Sequence, residues 1–269
     1  MFDDTLNLIQ KYNQQGIRFI VKNDKLTIKT EKNSVSNDVL SEIKSHKQQI
    51  ITFLKNTYYP LSFAQKRLWF VSQYKQNAIY NIPLAIRLLG ELKIKVLEQV
   101  LLTIIERHEV LRTNFVTLND EPKQLIHEDP VFNLELVDLS NFSKEEAEEQ
   151  ILVYIQEESQ KPFDLVNDSL IRFILYTINE KESVFFLNKH HIISDAWSIS
   201  ILVNEITLLY DAFSNDKPSP LKELPIQYAD FTIWQKEFLE GEILQKQVDY
   251  WKAKLKGCAI LDLPTDKTR

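Results

Sequence analysis

His190 and His191 stand side by side where a strand-forming run, Val184-Phe185-Phe186-Leu187, gives way to Asn188-Lys189-His190-His191-Ile192-Ile193-Ser194-Asp195-Ala196-Trp197-Ser198. A neutral imidazole accepts a proton near pH 7, which suits general-base help to an amine or hydroxyl attacking a thioester. The end of a strand is also a place where a rigid scaffold presents reactive groups. Successive side chains on extended backbone face opposite ways, so one histidine is expected in a site and the other buried as its support. Taken alone, such a pair is more often structural than chemical. Asp195 has an ordinary reading as a helix cap, because the helically spaced Ile199, Leu202, Ile206 and Leu209 follow it. Metal binding is disfavoured: adjacent histidines on a strand do not easily reach one ion, and His46, His108 and His127 are scattered without ligand spacing.

The elements that must position this pair are mixed. Helical patterns at 62–75, 94–109, 143–160, 195–213, 227–239 and 244–255 alternate with strand-like runs at 84–89, 113–116, 171–178 and 184–188, which predicts an α/β layered fold. A chain of 269 residues can hold one good core and a small second unit. Its 44% hydrophobic and 26% charged residues describe a packed globular protein, with no repeat or low-complexity tract. The single cysteine, Cys258, excludes an internal disulfide. No apolar run is long enough for a membrane span and the amino terminus is acidic, so a cytoplasmic protein without a membrane partner is expected. The net charge of -6 argues against nucleic acid as a partner.

That charge is unevenly spread. Residues 1–56 carry nine basic and six acidic side chains, whereas the remainder is acidic. In the basic segment Leu6, Ile9 and Tyr12 predict a helix behind Asp3 and Asp4 that Gly16 would end. Residues 17–21 and 26–28 then flank Asn23-Asp24 as a hairpin would. Ser36 is placed to cap further helix, with a break near Ser45. Asn56 to Pro60 form a tight junction, since no flexible linker intervenes and Pro60 prevents simple helical continuation.

Against this background, residues 190–196 resemble the HHxxxDG signature of condensation domains of nonribosomal peptide synthetases. Four stretches agree in order: Leu61 to Trp69 with the SxAQxRLW motif, Arg107 to Phe115 with RHExLRTxF, Pro162 to Leu165, and Tyr228 to Trp234. The resemblance implies that His191 sits in the active site as base or positioner of an acceptor α-amine, with His190 as support. It also implies that Asp195 is structural through a buried salt bridge to Arg112. Ala196 replaces the usual glycine, and its methyl group either narrows substrate approach or is harmless, the second being favoured. Trp69, Trp197 and Trp234 are expected as core aromatics.

Residues 1–56 resemble the amino-terminal docking domains first known from tubulysin assembly. The fold class expected is thus α/β: a small α-β-β-α docking domain at 1–56, then at 60–269 the amino-terminal lobe of a chloramphenicol acetyltransferase-like condensation domain, its second lobe absent. The implied partners are donor and acceptor peptidyl carrier domains and the acidic carboxy-terminal peptide of an upstream subunit. That peptide would add to the hairpin edge and be selected by Arg18, Lys22, Lys25 and Lys29, with Lys32 as a further candidate. No cofactor is expected to bind directly; substrates would ride on the phosphopantetheine of the carriers. One wall of a site cannot enclose substrates, so these residues alone are expected to lack condensing activity. The competing expectations are a docking module without chemistry, a related HxxxD acyltransferase, or an epimerisation domain.

Overall fold

A computed structural model describes residues 5, 8–9, 11–12, 15, 17–22, 25–30, 35–55, 57–74, 78–118, 121–129 and 131–259; of residues 18, 20, 22, 54, 55, 57 and 118 only the backbone is described. Asp3, Asp4, Leu6, Gly16, the Asn23-Asp24 turn and Lys32 lie outside these residues.

The expected hairpin is present, β1 (Ile17–Lys22) pairing antiparallel with β2 (Lys25–Thr30). Its apolar positions Ile17, Phe19, Leu26 and Ile28 pack with Leu8, Ile9, Tyr12, Ile43 and Ile50. Ser36 accepts a hydrogen bond from the Val39 amide and starts α1 (Asn37–Ser45). The expected break follows at His46, before α2 (Lys47–Lys55). Tyr12 is fully buried and its hydroxyl donates to Glu42, which also takes Lys11 at 3.0 Å, tying the first turns of the chain to α1.

Within the expected tight junction, residues 57–60 form a strand. β3 (Thr57–Pro60) pairs with β6 (Glu121–Ile126), which pairs in turn with β5 (Thr113–Leu118). Pro60 is tolerated because it ends an edge strand, where a missing N–H costs little. Phe53 of α2 packs on Tyr58 at 5.2 Å between ring centroids and meets Val116 and Leu125 of this sheet.

A second sheet carries the histidines. Its order is β4 (Asn81–Leu89), β9 (Glu182–His190), β8 (Ile171–Asn179), β7 (Leu134–Asp138), with only β7 and β8 parallel. A parallel neighbour requires a crossover, supplied by α5 (Lys144–Gln160). That helix covers one face through Ala147 and Ile151 against Ile174, Tyr176, Val184 and Phe186. On the other face α4 (Ile94–Arg107) and α6 (Ala196–Ser214) bury Val100, Leu101, Ile104, Leu202 and Leu209 against Phe173, Leu175, Phe185 and Leu187. Every residue of β9 is buried, as for a central strand covered on both sides. Three further helices are α3 (Phe63–Ser72), α7 (Tyr228–Phe238) and α8 (Gly241–Leu255).

The tryptophans depart from expectation. Trp69 is half-buried against the main core, but Trp197 is 79% and Trp234 54% exposed. Each lies away from the face its helix buries: Leu202, Leu209 and Ala212 are the packed side of α6, Ala229 and Thr232 that of α7.

Candidate functional site

β9 runs straight into the histidine pair. His190 is its last residue and His191 opens a single tight turn of three residues. The strand's alternation separates the two rings. His190 is only 4% exposed, packed between Tyr80 and Phe163 at centroid distances of 6.1 and 6.3 Å, while His191 is exposed. Backbone bonds pin both residues: the His190 amide donates to the Leu170 carbonyl at 3.0 Å, that of His191 to Tyr80 at 2.8 Å. Burial, and secondarily the neighbouring His191, pushes the His190 imidazole down to about 4, so it is neutral at pH 7. Its Nδ1 is therefore free to accept the Ile192 amide, at 3.1 Å.

Asp195 is the cap of α6. It accepts from the Ser198 amide at 2.8 Å and the Ser198 hydroxyl at 2.6 Å, and these bonds, hydroxyl first, hold its carboxyl below the usual aspartate range. The expected salt bridge to Arg112 is not formed. Arg112 ends a short helical turn and donates to the His127 carbonyl, with Glu109 at 3.7 Å as its carboxylate partner. Asp195 is also exposed rather than buried, so a local cap three residues long has displaced a long-range ion pair that would order two distant side chains. Ala196 begins α6 with exposed surface; among the described residues Asp216 is the sole non-glycine with positive φ, so position 196 does not require glycine for its backbone.

The other motif segments converge here. Phe163 supports His190 and is itself covered by the Arg172 guanidinium at 3.9 Å. The Leu165 carbonyl accepts the Phe115 amide at 2.9 Å and the Asn114 side chain at 3.1 Å. Arg107 and His108 both reach the buried Glu205 on α6, at 3.2 and 2.6 Å. A small cleft of about 110 Å³ beside the cap is lined by His108, Leu111, Ser194, Ser198, Ile201 and Leu202. Among the described residues no group of three or more histidine, cysteine, aspartate or glutamate side chains is placed to hold a metal ion. No described helix is long and apolar enough to cross a membrane.

Lys189, the neighbour of the histidine pair on β9, is a buried charge that the motifs do not mark. It has no exposed surface, and its ammonium has no hydrogen-bond partner. Burial pushes it down to about 8, against the attraction of Asp195. A lysine inside the run Val184 to His190 was the available signal. Because the folded value lies below the unfolded 10.5, both states hold the proton below about pH 8 and the burial cost stands in full. Between 8 and 10.5 only the unfolded chain holds it, so stability rises with pH. Lys189→Met is accordingly expected to stabilise the fold by about 1–3 kcal/mol at pH 7, less as pH approaches 10.5. Urea unfolding across that range checks this, and a lower midpoint for the variant at pH 7 would contradict it.

At the other end of the chain, the hairpin register sets Arg18 opposite Lys29 and Lys22 opposite Lys25. Cross-strand partners share a face, so these four positions lie on the side of the hairpin away from its packed residues. Lys25 and Lys29 are exposed there.

Comparison with known proteins agrees with this geometry. Residues 55–269 match the family model of the condensation domain, and residues 6–56 that of the TubC N-terminal docking domain. One of the linear gramicidin synthase proteins of Brevibacillus parabrevis is 46% identical over 222 residues, covering 82% of this chain and 4% of that protein. Bacitracin synthase 2 of Bacillus licheniformis is 38% identical over 217 residues, covering 80% and 8%. Among solved structures, the starter condensation domain of rhizomide synthetase RzmA superposes with a TM-score of 0.69 at 19% identity, covering 76% of this chain and 49% of that one. The X-domain in complex with OxyB from teicoplanin biosynthesis gives 0.69 at 28% identity, covering 78% and 46%. The chain thus spans a small fraction of the curated relatives and about half of the solved chains. With its sequence motifs, its α/β fold and these matches in agreement, the chain belongs to the condensation-domain family of nonribosomal peptide synthetases and carries a TubC-type docking domain at its amino terminus.

Proposed function

We propose that this chain supplies the histidine-bearing part of a site that joins a carrier-bound donor acyl group to a carrier-bound acceptor amine, and that its hairpin docks an upstream synthetase subunit. The observation that carries the chemistry is the division of labour at the end of β9: a neutral, buried His190 braces the turn on which an exposed His191 stands. In the reaction the acceptor amine attacks the donor thioester carbon, a C–N bond forms and the C–S bond breaks. The thiolate leaves on the donor carrier, and the proton shed by the amine passes to it either through the His191 imidazole or directly once that ring has oriented the amine. Substrates ride on phosphopantetheine of carrier domains, and the residues themselves hold no cofactor. A cytoplasmic setting is part of this proposal. Loss of amide formation in His191→Ala protein, argued below, is the test.

Electrostatics supports the docking half. Two like-charge cross-strand pairs cost the hairpin stability unless an anion relieves them. An acidic peptide laid along the edge as a further strand would do so while its main chain satisfies the open edge. Joint Lys25→Glu and Lys29→Glu substitution is expected to weaken binding of an acidic peptide roughly tenfold or more, and added salt to weaken the wild-type complex. Fluorescence anisotropy reads both; unchanged affinity in the double variant removes these lysines from the contact.

A further inference from the structure

Two buried side-chain amides run from the start of the family's motif region to the histidine turn. Gln65 on α3 is 1% exposed, and its amide nitrogen donates both to Gln124 Oε1 at 3.1 Å and to the Ile192 carbonyl at 3.3 Å. Its oxygen accepts the Ser62 amide at 3.0 Å, so the same side chain closes the capping box of α3. Gln124 on β6, also 1% exposed, donates to the Pro60 carbonyl at 2.9 Å and to Thr232 of α7 at 3.4 Å.

Ile192 is the residue after His191, and it is held from both sides. Its amide is taken by His190 Nδ1 and its carbonyl by Gln65. A turn of three residues has little hydrogen bonding of its own, and its backbone bond from the Ser194 amide to the His191 carbonyl is 3.4 Å long. The direction of the exposed His191 ring therefore depends on its own amide bond to the Tyr80 carbonyl, at 2.8 Å, together with the two side chains that grip the next residue. We infer that Gln65 is a positioning residue for His191, acting through the Ile192 carbonyl, with Gln124 fixing the amide orientation of Gln65. The inference rests on the reading of His191 as the reacting imidazole.

Leucine at position 65 keeps the bulk and removes the donor; methionine does the same with a more adaptable side chain if leucine is not accommodated. Gln227→Leu is the control. It breaks comparable bonds, from Gln227 Nε2 to the Arg107 carbonyl at 2.9 Å and from the Glu109 amide to Gln227 Oε1 at 3.2 Å, without touching Ile192. In the full 269-residue chain, amide hydrogen exchange at Ile192 and the ring signals of His191 are recorded by NMR for all variants. Either Gln65 variant is expected to speed Ile192 exchange about tenfold relative to the β9 amides, and to shift or split the His191 signals, as loss of one buried bond implies. Gln227→Leu leaves both unchanged. Wild-type exchange and wild-type His191 signals in a folded Gln65 variant overturn the proposal, as does an equal response in Gln227→Leu.

A polypeptide carrying the full length of the solved condensation domains adds a kinetic reading: about a tenfold loss in kcat at unchanged KM for the Gln65 variants. Should His191→Ala retain full activity there, the catalytic reading fails while the exchange result still decides whether Gln65 sets the turn.

Discussion

His191→Ala is expected to reduce amide formation between carrier-bound thioesters by about 10²–10⁴-fold, measured in a polypeptide with the full length of the solved condensation domains. It should leave the urea midpoint nearly unchanged. The ring is exposed, and surface substitutions away from special features stay within about 0.5 kcal/mol. The turn itself survives, because the bonds at this residue are made by its main chain, to the Tyr80 carbonyl and from the Ser194 amide. The corresponding change at His190 gives the opposite pattern. His190→Ala removes the acceptor of the Ile192 amide and opens a cavity between Tyr80 and Phe163, so activity and stability fall together. Within the His191 result, pH separates two roles. A base confers an ascending limb on the pH–rate profile that disappears with the imidazole; a ring that only orients the amine leaves glutamine at 191 with partial activity and a profile of unchanged shape. Full activity in His191→Ala would falsify the assignment.

Much of this site was legible because its determinants are local or periodic. Separation of the two imidazoles needs only the period of two along β9, and the cap at Asp195 only a short polar side chain ahead of an apolar helical run. The hairpin register, which gathers positions 18, 22, 25 and 29 on one face, follows from a two-residue loop between two six-residue strands. What escaped the sequence depends on distant partners. β6 contains Glu121, Pro122 and Lys123 and lacks alternation, yet it is the central strand of its sheet, flanked by β3 and β5. The Arg112–Asp195 pair failed because each group found a nearer partner. Trp197 and Trp234 read as core because their size suggests burial, whereas the small residues Ala229 and Thr232 are those that α7 buries. Lys189 and the Gln65–Gln124 pair were hidden for a related reason: hydrogen-bond satisfaction inside a core depends on which elements meet there.

Glu205 is expected to be the most damaging single position for stability outside the apolar core. It lies on α6, ten residues past the cap, 6% exposed, and receives Arg107 and His108 from the carboxyl end of α4. Desolvating a carboxylate is costly and only good geometry repays it, so the three groups need not stabilise the fold relative to an apolar trio. Removing one partner is a different matter. Glu205→Ala leaves the Arg107 guanidinium, whose side chain is only 16% exposed, facing a void without its counter-charge, and the expected loss is about 3–5 kcal/mol by urea unfolding. Glu205→Gln keeps the shape and one acceptor oxygen, so it should lie between alanine and wild type. Replacing Arg107, His108 and Glu205 together by apolar residues of similar volume should recover most of the loss. A Glu205→Ala variant within about 1 kcal/mol of wild type would mean that water already screens the trio. The effect reaches the chemistry through α6, since the helix that Asp195 caps beside the histidine turn is held to α4 partly by this carboxylate. Activity in Glu205→Gln should therefore fall less than in Glu205→Ala and should track the stability of each variant, unlike activity in His191→Ala.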